Sequence, residues 1–167
     1  LFDALFEEAG TLDRRVHELD VELARSVRTD PVASLATTAP GIGPINGTQI
    51  SARLVDPRDF QRARDLPAFI GIVPRLSGTG GKARLGAITK HGSPDLRRGL
   101  VLGAQSIITV AIRCPDKADP IYAFARRLIA KGKHRNLVAV AVANKLARTV
   151  AAMLRDGRPY DPSYAGA

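Results

Sequence analysis

Ser93-Pro94-Asp95-Leu96-Arg97-Arg98-Gly99-Leu100-Val101-Leu102-Gly103-Ala104-Gln105-Ser106-Ile107-Ile108-Thr109-Val110-Ala111-Ile112-Arg113 is the stretch that decides the fold. Ser93 suits a helix N-cap, and Pro94 suits the first helical position, where its missing N–H costs nothing. Leu96, Leu100, Gly103, Ala104, Ile107, Ile108 and Ala111 then recur at helical spacing as a wide apolar stripe. The apolar run from Gly99 to Ile112 is too short to span a bilayer and carries Gln105, Ser106 and Thr109. It predicts a central core helix, with no membrane association.

Downstream, Asp119-Pro120 starts another helix that ends near Gly132, and a long helix follows from about Arg135 to Arg155. Its small apolar residues suit close packing. Gly157 to Ala167 reads as a partly frayed tail. Upstream, Thr29-Asp30-Pro31 caps a short helix that runs to about Thr38, and a second covers about Asn46 to Leu54. Asp56-Pro57 repeats the cap for a helix to about Leu66, with Phe60 and Ala63 inward and Arg58, Arg62 and Arg64 outward. No strand pattern of any length appears, so the expected fold class is all-α.

The first segment has a coiled-coil period. Leu5, Ala9, Leu12, Val16, Leu19 and Leu23 follow a 4-3-4-3-4 spacing with charges between them. The strict period favours a partner helix; packing on its own domain is the other reading. Gly10 is a local weakness of about 1 kcal/mol relative to Ala. The expected organisation is a coiled-coil helix at 1–29 and a compact helical domain at 30–167.

Within that domain, about 32–54 has the pattern helix, Gly-hydrophobic-Gly turn, helix of a helix-hairpin-helix element. Gly41 and Gly43 permit the turn, Ile42 plugs it into the core, and Leu35, Ile50 and Leu54 pack the helices together. Such a turn can hold a nucleic-acid backbone phosphate on the second helix's first amides, or it can be purely structural.

Charge is uneven along the chain. Residues 1–30 hold eight acids and four bases, and residues 31–167 eight acids and 21 bases. A basic body points to a polyanion, most often nucleic acid. Trp is absent and aromatics are few, which argues against a base-stacking platform for single strands. Cys114 is the only cysteine, so there is no disulfide framework or zinc knuckle, and a reduced, cytoplasmic setting fits. The chain starts at Leu1 without Met or a signal-peptide pattern and reads as a piece of a longer protein.

Chemistry concentrates in Arg75-Leu76-Ser77-Gly78-Thr79-Gly80-Gly81-Lys82-Ala83-Arg84, a glycine loop with two hydroxyls between basic residues. Glycines let backbone amides approach an anion closely, and Lys and Arg supply the opposite charge. A nucleotide-binding P-loop reading fails, because that motif needs Gly at Leu76 and Ser or Thr at Ala83. His17, His91 and His134 are isolated and no carboxylate pair sits on the basic body at ligand spacing, so no metal site is expected in this chain. The hydroxyls remain, as phosphate ligands or as a nucleophile. Arginines beside a phosphodiester neutralise it and stabilise the leaving oxygen without losing their proton.

Several pieces then occur in a telling order. They are Pro40-Gly41-Ile42-Gly43-Pro44, Asp56-Pro57-Arg58-Asp59-Phe60, Gly71-Ile72-Val73-Pro74-Arg75, the run from Gly80 through Lys82-Ala83-Arg84-Leu85-Gly86-Ala87-Ile88-Thr89-Lys90-His91-Gly92, and Leu96-Arg97-Arg98. Together, over about residues 31–160, they resemble the C-terminal transposase domain of the insertion-sequence recombinases related to Piv-type DNA invertases. The preceding heptads are similar to that family's connecting helices.

The resemblance implies a DNA transposase or site-specific recombinase in which a serine of the glycine loop attacks DNA and forms a covalent phosphoserine. It implies an upstream RuvC-like domain, with four acids that bind Mg2+, outside this chain; without it the isolated chain is expected to be inactive. A structured bridge RNA and a dimer or higher oligomer are the further partners it implies, in a prokaryotic cytoplasm. Family loops commonly place the serine four residues before the lysine, a place held here by Gly78. Other members have Ser-Gly-Ser, matched by Ser77-Gly78-Thr79. The nucleophile is therefore carried to Ser77, with Thr79 as the alternative. Arg75, Gly80, Gly81, Lys82, Arg84, Lys90, Arg97 and Arg98 are the expected phosphate contacts, joined by Gly41, Ile42 and Gly43 on the DNA backbone.

Overall fold

Four of the helix starts are set by a side chain that accepts hydrogen bonds from first-turn amides. The computed structural model describes residues 2–54, 60, 62–79 and 82–162. Helix α1 spans Phe2–Thr29 and α2 Pro31–Thr37, where Asp30 Oδ1 accepts from the amides of Val32 at 2.9 Å and Ala33 at 3.0 Å. Helix α3 covers Pro44–Arg53 and α4 Asp65–Ile70. Ser93 caps α5, Pro94–Arg113, through the amide of Leu96. Asp119 caps α6, Pro120–Ala130, and His134 Nδ1 caps α7, Arg135–Asp156. In α2, α5 and α6 the cap is followed by the expected Pro.

The predicted stripe of α5 is buried throughout: Leu96, Leu100, Gly103, Ala104, Ile107, Ile108 and Ala111. It packs along α7, whose Val138, Val142, Leu146, Val150 and Met153 are fully covered, and α6 closes over both. Each such aliphatic side chain stabilises the fold by about 1.5–3 kcal/mol relative to exposure. By length and composition α7 could cross a membrane, but 61% of its apolar window is buried inside the fold, so it serves as a core helix. The turn between α2 and α3 reaches this core directly. Ile42 is buried, and Gly41 meets Gly103 of α5 so closely that a Cβ on Gly103 would lie 2.2 Å from the Gly41 carbonyl oxygen. Asn46 Nδ2 donates to the carbonyl of Gly99 at 3.1 Å and fixes α3 on α5.

The body is mostly helical, as expected, but the absence of strands is overturned. Strands β1, Pro74–Thr79, and β2, Lys82–Ile88, form an antiparallel ribbon across the span read as a glycine loop. Glycines and exposed polar residues hide the pattern, and the backbone ladder, with no buried face, makes the pairing. The helix expected from Pro57 to Leu66 falls largely outside the described residues. Where the chain is described, Arg62–Arg64 is a turn and α4 begins at Asp65.

The tail is also more ordered than expected up to residue 162. The Tyr160 hydroxyl donates to the Asp119 carboxylate at 2.9 Å, and its amide donates to Thr38 Oγ1 at 2.8 Å. Burial first, and then the bond to Asp119, raise the phenol above its ordinary range.

Helix α1 touches α2 and α3 only near its C-terminal end, where Val27 is buried. Leu5, Leu12, Val16 and Leu19 stand 55–58% exposed.

Asp30 ties this region together, since Ser51 of α3 also donates to its second carboxylate oxygen. That hydroxyl, and next the Ala33 amide, hold the carboxyl below the ordinary value of 3.8. A lowered folded pKa means that the stabilisation is complete above the unfolded value and is lost as pH falls through the folded one. Asp30→Ala should cost about 1–2 kcal/mol in urea unfolding near neutral pH. The gap to the unaltered chain should close between about pH 5 and pH 2. A pH-independent gap would reject this role.

Candidate functional site

The ribbon carries the candidate chemistry, and its root explains how the ribbon is held. At the root, two chain segments cross with almost no space between backbones. Gly71, at φ +75°, and Gly92, at φ +89°, both sit in the left-handed region. A Cβ on Gly71 would lie 2.0 Å from the His91 carbonyl oxygen, and one on Gly92 only 1.7 Å from that of Phe69. No side chain fits at either place.

Hydrogen bonds then knit the crossing. The amide of Thr89 donates to Val73 O at 2.9 Å, and that of Lys90 to Gly71 O at 3.1 Å. Arg97, from the first turn of α5, donates through Nη1 to Ile70 O at 2.9 Å and Lys90 O at 3.1 Å. The cation thus draws in carbonyls from both sides of the crossing. Lys90 holds φ 59°, an uncommon conformation for a non-glycine residue, beside this clamp.

Beyond the root the ribbon stands clear of the helices. Its register pairs Leu76 with Leu85, Ser77 with Arg84, Gly78 with Ala83 and Thr79 with Lys82, after an irregularity between Pro74 and Leu76. Alternation puts Ser77 and Arg84 on one face and Leu76 and Leu85 on the other. The leucines are 72% and 74% exposed. Ser77 is exposed too, and its hydroxyl donates to the Arg84 carbonyl over a long 3.5 Å. A hydroxyl opposite a guanidinium-bearing residue, both facing solvent, is an arrangement open to a phosphodiester.

The other expected contacts are dispersed. Arg75 is occupied near the root, where Nη2 donates to Thr89 O at 3.3 Å. Lys90 and Arg97 build the root itself, and Arg98 is exposed on the first turns of α5. Gly80 and Gly81 lie outside the described residues. Gly41 and Ile42 face α5 and the core, while Gly43 is exposed at the N-cap of α3. Among the described residues no three His, Cys, Asp or Glu side chains converge on a point where a metal could sit.

One feature escaped the sequence reading. A groove of about 670 Å³ separates the ribbon root, at Pro74 and Gly86–Ile88, from Phe124 of α6 and Leu137, Val140 and Asn144 of α7. Its only trace in sequence is Leu137, an apolar residue 53% exposed where a helix face should be polar.

Residues 33–118 match the Transposase IS116/IS110/IS902 family, and the chain belongs to that family. It is 35% identical over 162 residues to a probable family 20 transposase of Pseudomonas aeruginosa, covering 97% of this chain and 47% of that protein. With the transposase for insertion sequence element IS1328 of Yersinia enterocolitica it shares 34% identity over 148 residues, 89% of this chain and 43% of the relative. The pilin gene-inverting protein of Moraxella bovis is 28% identical over 151 residues, 87% of this chain and 45% of its own length. The kinship with invertases expected from the motifs is thus found. The chain spans about half the length of these relatives.

Gly92→Ala should destabilise the root by more than about 1–2 kcal/mol, the cost of the left-handed backbone alone, because the methyl also strikes Phe69 O. Arg97→Lys keeps the charge but loses the planar fork, and should cost about 1 kcal/mol or more. Denaturant unfolding measures both. Stability unchanged by either substitution would contradict the described crossing.

Proposed function

We propose that this chain is the serine-bearing half of a DNA transposase or site-specific recombinase. Ser77 Oγ attacks a DNA phosphodiester, an Oγ–P bond forms, and one P–O bond of the strand breaks. The displaced sugar oxygen leaves as a hydroxyl, and the serine proton is given up in the same exchange. One phosphodiester replaces another, so the energy of the bond is kept for rejoining. Arg84 balances the phosphate charge during the exchange, and Thr79 is the alternative nucleophile. The observation that supports this reading is the pairing of Ser77 with Arg84 on an exposed ribbon. The relatives' names as transposases and a gene-inverting protein support it independently.

The rest of the assembly is proposed in the same terms. A RuvC-like domain elsewhere in the full-length protein holds Mg2+ through its own acids, as the family resemblance implies. The ion would supply Lewis-acid activation there. The turn at Gly41–Gly43 with α2 and α3 acts as a helix-hairpin-helix, using the exposed N-terminal turn of α3 at Gly43 against the DNA backbone. A structured RNA guides the choice of DNA. The exposed seam Leu5, Leu12, Val16 and Leu19 pairs α1 with α1 of a second copy.

The decisive assay uses the full-length protein with its DNA and RNA. A covalent protein–DNA adduct should form, disappear in Ser77→Ala and persist in Thr79→Ala. Loss only in Thr79→Ala would move the nucleophile, and an adduct surviving both would sink the serine mechanism in favour of a non-catalytic binding and dimerisation module. For α1, sedimentation of the Leu12→Asp, Leu19→Asp chain should give monomer where the unaltered chain gives dimer. An unchanged oligomer would reject the seam.

A further inference from the structure

We infer that Arg127, Lys145 and Arg148 form a second phosphodiester site, on the α6–α7 face at the edge of the groove beside the ribbon. The inference rests on the nucleic-acid-acting reading above but not on Ser77. Two cations from different helices converge on one ring. The Arg127 guanidinium lies 5.4 Å and the Lys145 ammonium 5.2 Å from the centroid of Phe124. Arg148 follows Lys145 by three residues on α7, close enough that both arginines disfavour the lysine's charge.

Like charges on a solvated face spread apart; these are gathered. Burial first, and then Arg148 and Arg127, hold the Lys145 ammonium below its ordinary range. From Arg126 to Arg148 the chain carries seven Lys or Arg and no acid. Arg148 adds a second and independent sign: its Nε is buried and has no hydrogen-bond partner. A buried guanidinium N–H left open is costly unless something accepts from it. A ligand that suits all three side chains is anionic, offers more than one acceptor oxygen, and reaches a partly covered site.

A phosphodiester meets all three requirements. Its two free oxygens suit the fork of a guanidinium, and its single charge relieves the repulsion among the three cations. Phe124 belongs both to this cluster and to the lining of the groove, whose opposite wall is the ribbon root at Pro74 and Gly86–Ile88. A strand held at Arg127, Lys145 and Arg148 would run along that groove towards the ribbon, past Leu137 and Val140. Duplex DNA and a structured RNA offer the same phosphodiester, and the experiment separates them.

The test titrates the 167-residue chain with a DNA duplex of about 20 base pairs and, separately, an RNA hairpin of similar length, over a range of salt. In Arg127→Gln, Lys145→Gln the log–log salt slope should flatten by about 2, with affinity lower by about tenfold or more near 0.1 M salt. Removing the same charge from α1, with Arg14→Gln, Arg15→Gln, should leave both nearly unchanged. A flattened slope with DNA alone, with RNA alone or with both supports the site and names its source. A readout on the unaltered chain guards against misfolding of the variant: acylation of Lys145 should be blocked by bound nucleic acid while that of Lys117 is not. Equal losses in the two charge-removal variants, or Lys145 left unprotected, overturn the site. So does self-association that is lost in Arg127→Gln, Lys145→Gln while nucleic-acid binding persists, because the face would then serve a protein partner. Failure of the Ser77 adduct with Lys145 still protected would count against the catalytic reading alone.

Discussion

Burial of the α5 stripe is the interaction on which the rest of the structure depends. Leu100, Ile107 and Ile108 pack against α7 and anchor the helical body. The same helix receives the α2–α3 turn, because Gly103 leaves room for the Gly41 backbone. Its first turn also mounts the ribbon: Ser93 caps it, Gly92 lies against Phe69 just before the cap, and Arg97 grips both sides of the crossing. One helix therefore fixes the core at its middle and the candidate site at its start. Damage to its packing would disturb both at once, although Ser77 touches none of it.

Much of this organisation is legible in sequence, and the reason is local. The helix starts at Asp30-Pro31, Ser93-Pro94 and Asp119-Pro120 write their own boundaries, since cap and proline act within one turn of chain. The α5 stripe is legible because a buried helix face needs apolar residues at fixed spacing. The ribbon is not, because its strands bury neither face; Leu76 and Leu85 point to solvent, and glycines replace the β-branched residues that would announce a strand. Its signal lies at a distance, in Gly71 and Gly92, which bracket it as two positions where only glycine fits. The order at Tyr160 leaves no local mark for a similar reason, as its partners Asp119 and Thr38 lie 41 and 122 residues away.

The candidate site divides in the same way. Ser77 and the basic residues around it stand out by composition, but composition treats Arg75, Arg84 and Arg97 alike. Structure sorts them: Arg84 faces outward with Ser77, Arg75 leans back on Thr89, and Arg97 holds the root. The basic run from Arg126 to Arg148 is legible in sequence, but its gathering at Phe124 and the groove beside it are not, because each joins α6 to α7 across the interhelical gap. No spacing along one chain segment records which residues of two helices meet at Phe124.

The ribbon is also a lever. Strands of six and seven residues, at about 3.3 Å per residue, carry its tip about 20 Å from the crossing. A rotation of about 5° at the root would move the tip by nearly 2 Å and Ser77, about 10 Å along β1, by nearly 1 Å, the scale of error that can cost a reaction about a hundredfold. The bare backbone contact at Gly71 and Gly92 therefore sets an angular tolerance. It allows the ribbon to be long and free of lateral support while the hydroxyl it carries keeps a defined position in space.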